Sequence, residues 1–277
     1  MPTSPRPSRR TVLAGGRRVH VLEAGEGEPV VLLHGIAGST VSWAPLVPPL
    51  ARTRRVVALD LPGFGRSEPL ARSVRSAALA DAVAATLDAL GLAHAAIVGQ
   101  SLGGIVALHL ALARPDLVAS VVAISAGYAF AIPPEDDPVR QGHVPGTLRL
   151  LAPRSLEDAA ALLALVLEDP TWSEVPAAIE EVFRAHEASA PACNDLVASF
   201  GRREDALDGR LDGVRVPTLV VAGASDRFTP PSLSERLAAA IPGARLAVIA
   251  HAGHAPVAER PADVLALVES HARGGRA

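Results

Sequence analysis

At 277 residues, 49% hydrophobic and 20% charged, with a formal charge of −3, the chain is too apolar for a disordered protein and too balanced for a polyelectrolyte tail. All 26 basic residues are Arg and Lys is absent, which excludes Schiff-base aldolases, pyridoxal-phosphate enzymes, Ser–Lys dyads and P-loop phosphate cradles, all built around an amine. The single cysteine, Cys193, excludes intrachain disulfides, Cys-rich zinc sites and Cys-ligated iron–sulfur clusters; no metal and no cofactor is expected.

The length suits one large domain, or a domain with an insertion, and a core of that size needs no staples. No run of about 18 apolar residues escapes a charge, a Pro or a Gly-rich break, so no spanning helix is expected. A mildly acidic chain with one Tyr and five Phe lacks the basic, aromatic surface of a nucleic-acid binder. Ser8-Arg9-Arg10-Thr11-Val12-Leu13 resembles a twin-arginine export signal. Gly15-Gly16-Arg17-Arg18 breaks the apolar run that such a signal needs. The segment is taken as a strand flanked by solvated arginines, and the expected location is the cytoplasm.

Residues 1–8, with three prolines, form a loose arm, followed by β-like runs near 10–14 and 18–23 and a turn at 25–29. Continuous apolar runs then recur at Val30–Leu33, Val56–Leu59, Ala95–Val98, Val121–Ile124, Thr218–Val221 and Leu246–Ile249. Strands without alternation are buried on both faces, as parallel strands covered by helices are. Helical spacing falls between them: Ser76–Leu90 stopping at Gly91, Leu102–Ala113 stopping before Pro115, Pro231–Ala240, and about 259–273. The alternation predicts an α/β fold with a doubly wound sheet. From about 128 to 212 the strand signal vanishes. Polar, Pro-rich turns (132–138) and helix-like stretches at Leu156–Leu167 and Ala177–Ala188 replace it, which predicts a helical lid.

Gly99-Gln100-Ser101-Leu102-Gly103 carries the strongest chemical signal. A serine hydroxyl is a poor nucleophile unless it is exposed and next to a base. A sharp strand-to-helix turn exposes it, and small flanking residues let strand and helix approach. The pattern alone is common; an apolar strand run before it and a helix pattern after it give it weight. The nucleophile needs an imidazole oriented by a carboxylate at the same sheet edge. The run ending at Gly223 leads to Asp226, and the run ending at Ile249 leads to His251 and His254. His254, behind a flexible Gly253, is preferred to His251 as base. Asp226 is preferred to Asp60, whose Leu61-Pro62-Gly63-Phe64-Gly65 sequel suits a turn. The oxyanion donors are expected at the N–H groups of Leu102 and, in the Gly-rich 34–38 loop, Ile36; His34 is expected to be a structural hydrogen-bonder.

These blocks, with Asp60-Leu61-Pro62-Gly63-Phe64-Gly65-Arg66-Ser67 and Gly253-His254, resemble the α/β-hydrolase fold superfamily across about residues 17–272. The resemblance implies a mostly parallel eight-stranded sheet with helices on both faces. It also implies a core at 1–127 and 213–277, a helical cap at 128–212 inserted after the sixth strand, and a Ser101–His254–Asp226 triad with an oxyanion hole at Ile36 and Leu102. Ser101 separates the chain from relatives with an Asp nucleophile, and the absence of Lys from the hydroxynitrile lyases that use one. A serine hydrolase acting on a small or medium, mainly apolar ester or lactone is the leading expectation, its partners a small acyl substrate and water. A hydrolase of C–C bonds in ring-cleavage products, a perhydrolase or acyltransferase, and a ligand-binding protein on a hydrolase core remain as alternatives. In the cap, Leu148–Leu151, Leu162–Leu167 and Val175–Phe183 would form an aliphatic ceiling. Arg140, Arg149, Arg154, Arg184, Arg202 and Arg203 could meet a substrate carboxylate but suit solvent better. Trp43, Phe130 and Trp172 are the bulky residues expected nearest the pocket, and Cys193 is expected to be inert packing.

Overall fold

The computed structural model describes residues 7–71, 73–130, 148–200 and 205–274. The two β-like runs and the six apolar runs all become strands: β1 (Ser8–Ala14), β2 (Arg17–Ala24), β3 (Pro29–Leu33), β4 (Arg55–Leu59), β5 (Ala95–Gln100), β6 (Val118–Ile124), β7 (Thr218–Gly223) and β8 (Arg245–Ile249). They form one sheet in the order β1-β2-β4-β3-β5-β6-β7-β8. β2 is antiparallel to β1 and β4, and every pair from β4 onward is parallel.

Strand side chains point alternately to opposite faces, and the core divides on that alternation. Val31, Leu33, Ile97, Val121 and Val220 pack on one face with the helices α1 (Ser76–Ala89) and α2 (Leu102–Ala113). Their neighbours Val30, Leu32, Val98, Val122 and Val221 pack on the other with Trp43, Leu50, Val264 and Val268. Burial on both faces explains why the central strands are apolar throughout. β8 is the exception to the sequence expectation. It lies at the sheet edge, where Leu246 and Val248 are 37% and 49% exposed, so its apolar run reflects strand propensity rather than two-sided cover.

Among the described residues, the stretch between β6 and β7 holds helices and no strand: α3 (Leu156–Val166), α4 (Pro176–Ala188) and α5 (Ala190–Ser199). Ser155 caps α3 by accepting from Asp158 N at 3.1 Å, the usual remedy for unpaired N–H groups at a helix start. The return segment is tied to the sheet layer, for the Asp205 carboxylate accepts from Ser76 N and Ala77 N at 2.9 and 3.0 Å at the start of α1. Two further helices, α6 (Pro231–Ala240) and α7 (Pro261–Gly274), complete the layers. α5 escaped the sequence analysis because Pro191 and Asn194 interrupt its apolar spacing.

Burial pulls the imidazoles of His34, His109, His186 and His271 below their ordinary range. Held neutral when folded but free to protonate when unfolded, they contribute stability above about pH 6.5 that is lost as the pH falls through and below that value. Calorimetry is therefore expected to show Tm falling between about pH 6.5 and 5, above the carboxylate window; a Tm unchanged across that interval would contradict the assignment.

Candidate active site

Ser101 stands between β5 and α2 with φ 51° and ψ −117°, a conformation that costs a non-Gly residue energy and persists only when its surroundings enforce it. They do so by close backbone approach. A Cβ on Gly103 would lie 2.0 Å from the Leu33 carbonyl oxygen, and one on Gly99 would lie 2.1 Å from that of Gly103. β3, β5 and α2 thus meet where no side chain fits. Ser101 N donates to Ile124 O at 2.7 Å, and Ser101 O accepts from Gly104 N and Ile105 N. The turn is held from both sides.

His254 Nε2 lies 3.0 Å from Ser101 Oγ, and His254 Nδ1 lies 2.9 Å from Asp226 Oδ2. An ionised carboxylate only accepts, so Nδ1 carries the proton and Nε2 is left to accept from the serine hydroxyl. Asp226 Oδ1 accepts from Phe228 N and Thr229 N at 2.9 and 2.7 Å, and Oδ2 accepts from the Thr229 hydroxyl at 2.7 Å. Burial works to raise the Asp226 carboxyl, but the His254 imidazole and the Thr229 hydrogen bonds together outweigh it and hold the acid below its ordinary value. Thr229 escaped the sequence analysis; its signal was a hydroxyl three residues past an acid at a strand end.

The loop bearing His254 is fastened to the cap. His254 N donates to Val166 O at 2.6 Å, at the end of α3. The Glu259 carboxylate accepts from Gly253 N at 2.9 Å and from Glu168 N at 2.6 Å. Arg227 donates to the carbonyls of Ala164 and Leu167, both at 2.6 Å, satisfying orphan acceptors where α3 ends.

The competing residues occupy other roles. His251 is exposed, with Nδ1 3.4 Å from Glu168. Asp60 accepts from Thr40 N and Arg66 N at 2.6 and 2.9 Å, and closes its own turn. His34 Nδ1 donates to Gly35 O at 2.6 Å while Nε2 accepts from Leu61 N at 2.9 Å; both ring nitrogens are committed to backbone. Leu102 opens α2, so helix geometry gives its N–H no intrahelical acceptor. Gly35, next to Ile36, approaches Ser101 closely enough that a Cβ there would lie 3.4 Å from the serine Cβ.

A cavity of about 160 Å³ opens over Ser101 and His254, with Ile36 on its wall. Leu151, Leu162, Leu163, Val166 and Val182 supply an aliphatic roof, drawn from the three cap stretches expected to do so. His186, which the sequence analysis did not single out, also lines it. Among the described residues its buried Nε2 has no hydrogen-bond partner, a condition that costs about 1–3 kcal/mol. A lone histidine in a charged helix carries no sequence signal for such a place.

Three expectations about the pocket are corrected. Trp43 is 1% exposed within the core on the opposite sheet face. Phe130 is buried in the other core, with the Arg236 guanidinium 3.9 Å from its ring centroid. Trp172 is 49% exposed. None lines the cavity: the two buried rings are held by core packing, where large apolar area is worth most. Arg149 pairs with Asp158 and Arg184 with Glu180, Arg154 is exposed, and Arg140, Arg202 and Arg203 lie outside the described residues, as does the 132–138 turn. Among the described residues no three His, Cys, Asp or Glu side chains come together as a metal site, and no helix is long and apolar enough to cross a membrane.

Burial pushes the Cys193 thiol up to about 12, which keeps it un-ionised at neutral pH. Native protein is expected to resist iodoacetamide at pH 8, about the pH that suits an ordinary thiol, and to react once unfolded in guanidinium; rapid native alkylation would refute this. Gly103→Ala is expected to cost about 3 kcal/mol or more in urea unfolding, because the new methyl meets backbone that cannot give way. A loss under about 1 kcal/mol would show the turn to be softer than its geometry implies.

A family model described as alpha/beta hydrolase fold matches residues 28–261. The chain is 34% identical over 253 residues to the polyketide synthase ThaQ of Burkholderia thailandensis, covering 88% of this chain but 12% of that protein; it spans about an eighth of that relative's length. It is 33% identical over 262 residues to a pimeloyl-[acyl-carrier protein] methyl ester esterase of Neisseria meningitidis serogroup B, covering 89% of this chain and 93% of the esterase. Among solved structures, a meta-cleavage product hydrolase from Pseudomonas fluorescens IP01 superposes with a TM-score of 0.82 at 25% identity, over 95% of this chain and 97% of that one.

Proposed function

The chain belongs to the alpha/beta hydrolase fold family, and we propose that within it Ser101, His254 and Asp226 hydrolyse a small, mainly apolar carboxylic ester or lactone through an acyl-enzyme. The observation that carries this reading is the unbroken row Ser101 Oγ–His254 Nε2 at 3.0 Å and His254 Nδ1–Asp226 Oδ2 at 2.9 Å, opening on an apolar cavity. Ser101 Oγ attacks the carbonyl as His254 takes its proton, and Asp226 holds the tautomer and offsets the imidazolium charge. The alkoxide of the tetrahedral intermediate is met by the N–H groups of Ile36 and Leu102. His254 then protonates the leaving alcohol, and the same ring activates water against the acyl-enzyme. We assign the lid of this site to the insertion at 128–212, through its described residues 148–200, and the catalytic body to the described residues of 1–127 and 213–277, working in the cytoplasm on a small acyl substrate and water.

Cavity size supports a short acyl group. At about 160 Å³ it lies under the roughly 300–1,000 Å³ of common ligand pockets and near the ~150 Å³ of an apolar cavity that binds benzene. p-Nitrophenyl acetate and butanoate are therefore expected to exceed the dodecanoate by about tenfold or more in kcat/KM, a difference of about 1.4 kcal/mol. Ser101→Ala is expected to lose about 10⁴-fold or more in kcat. It should also lose labelling by a fluorophosphonate, which His254→Ala only weakens. Saturable ligand binding by a chain that neither turns over esters nor takes the label would overturn the reading.

The likeness to a meta-cleavage product hydrolase favours a second reading, C–C bond cleavage with the same three residues. Turnover of a ring-cleavage dienone, followed by loss of its visible absorbance, without simple ester hydrolysis would select it.

A further inference from the structure

α4 buries a single residue among its thirteen, His186, and that residue is polar. Its ring Nδ1 lies 2.8 Å from Val182 O, one turn back on the same helix. A carbonyl only accepts, so the proton is on Nδ1. Burial keeps the ring neutral. Nε2 is then a bare acceptor on the ring edge turned away from its own helix, and among the described residues no group donates to it. The same ring lines the cavity over Ser101, where its neighbours from the cap are Leu151, Leu162, Leu163, Val166 and Val182. An apolar residue at 186 would complete that roof with no unmet polar atom. The histidine instead leaves an unpaired acceptor on a ring that lines the acyl pocket.

We propose that His186 Nε2 accepts a hydrogen bond from a hydroxyl or amide N–H carried by the substrate's acyl group, so that the preferred substrate is a small ester or lactone bearing a donor rather than a plain alkyl acid. The inference rests on the serine-hydrolase reading of Ser101 and sharpens it. A buried acceptor that only the right ligand satisfies discriminates strongly against an analogue lacking the donor, because the analogue leaves it unpaired. Gln100 also lines the cavity, and its amide both donates and accepts, so the assignment to His186 needs its own variant.

The experiment compares matched p-nitrophenyl esters that differ by one donor: 2-hydroxybutanoate against 2-methylbutanoate, 3-hydroxybutanoate against 3-methylbutanoate, and N-acetylglycinate against 4-oxopentanoate. Each rate is corrected for spontaneous hydrolysis. The wild-type chain is expected to favour the donor-bearing member of at least one pair by about tenfold or more in kcat/KM. His186→Leu should bring that ratio to about one or below, and His186→Gln, whose amide oxygen can accept, should restore part of it. A wild-type ratio near one in every pair overturns the proposal without any variant being needed. A ratio that survives His186→Leu overturns the assignment to this residue. Fluorophosphonate labelling of Ser101, run on the same samples, separates the two levels. With labelling and ester turnover present but no donor preference, only this inference fails; with both absent, the hydrolase reading of the site fails first.

Discussion

Everything at the site depends on three backbones meeting without side chains between them. Gly103 rests against the Leu33 carbonyl and Gly99 against the Gly103 carbonyl, at separations that admit no Cβ. That contact bends the chain sharply enough to hold Ser101 at positive φ and lifts its hydroxyl off the sheet edge. It also brings the end of β3, and so the Gly35–Ile36 segment, beside the start of α2. Ser101 and the N–H groups of Ile36 and Leu102, the proposed nucleophile and oxyanion donors, are thus placed by one steric fact. The hydrogen bonds to Ile124 O and from Gly104 and Ile105 secure a geometry that the glycines make possible.

Asp226 and His254, the proposed acid and base, are placed by a different device, electrostatic rather than steric. Asp226 is nearly inaccessible, yet its two oxygens take hydrogen bonds from Phe228, Thr229 and His254. A buried carboxylate without such partners would be driven toward its neutral form. Kept as an acceptor, it fixes the His254 tautomer so that the lone pair faces Ser101. The Phe228 ring, edge-on to the imidazole at 4.8 Å between centroids, packs against it on a further side.

The sheet was legible because its central strands are buried on both faces and so carry unbroken apolar runs, and because helices between them stop at Gly91 and before Pro115. The residues in the hydrogen-bonded row were legible because each follows a strand end on one edge of the sheet. The cavity wall was legible only by stretch: the three expected segments do supply its aliphatic roof, but helical spacing does not tell an inward Leu from a merely packed one. Trp43, Phe130 and Trp172 drew attention by size, whereas their places answer to core packing and surface exposure. His186 had no motif around it; only its surroundings in space mark it out. Thr229 likewise counts through its distance to two side chains, which the sequence does not record.

Glu259 strengthens the join between the His254 loop and the end of α3. One carboxylate holds both the backbone just before the base and the first turn beyond α3, while His254 itself is bonded to Val166. A roof that lifted at this corner would pull the imidazole away from its alcohol, so the door and the machinery share a hinge post here. Substrate traffic that leaves the reacting groups aligned cannot lift this corner, because Val166 and Glu259 tie it to the imidazole's own backbone.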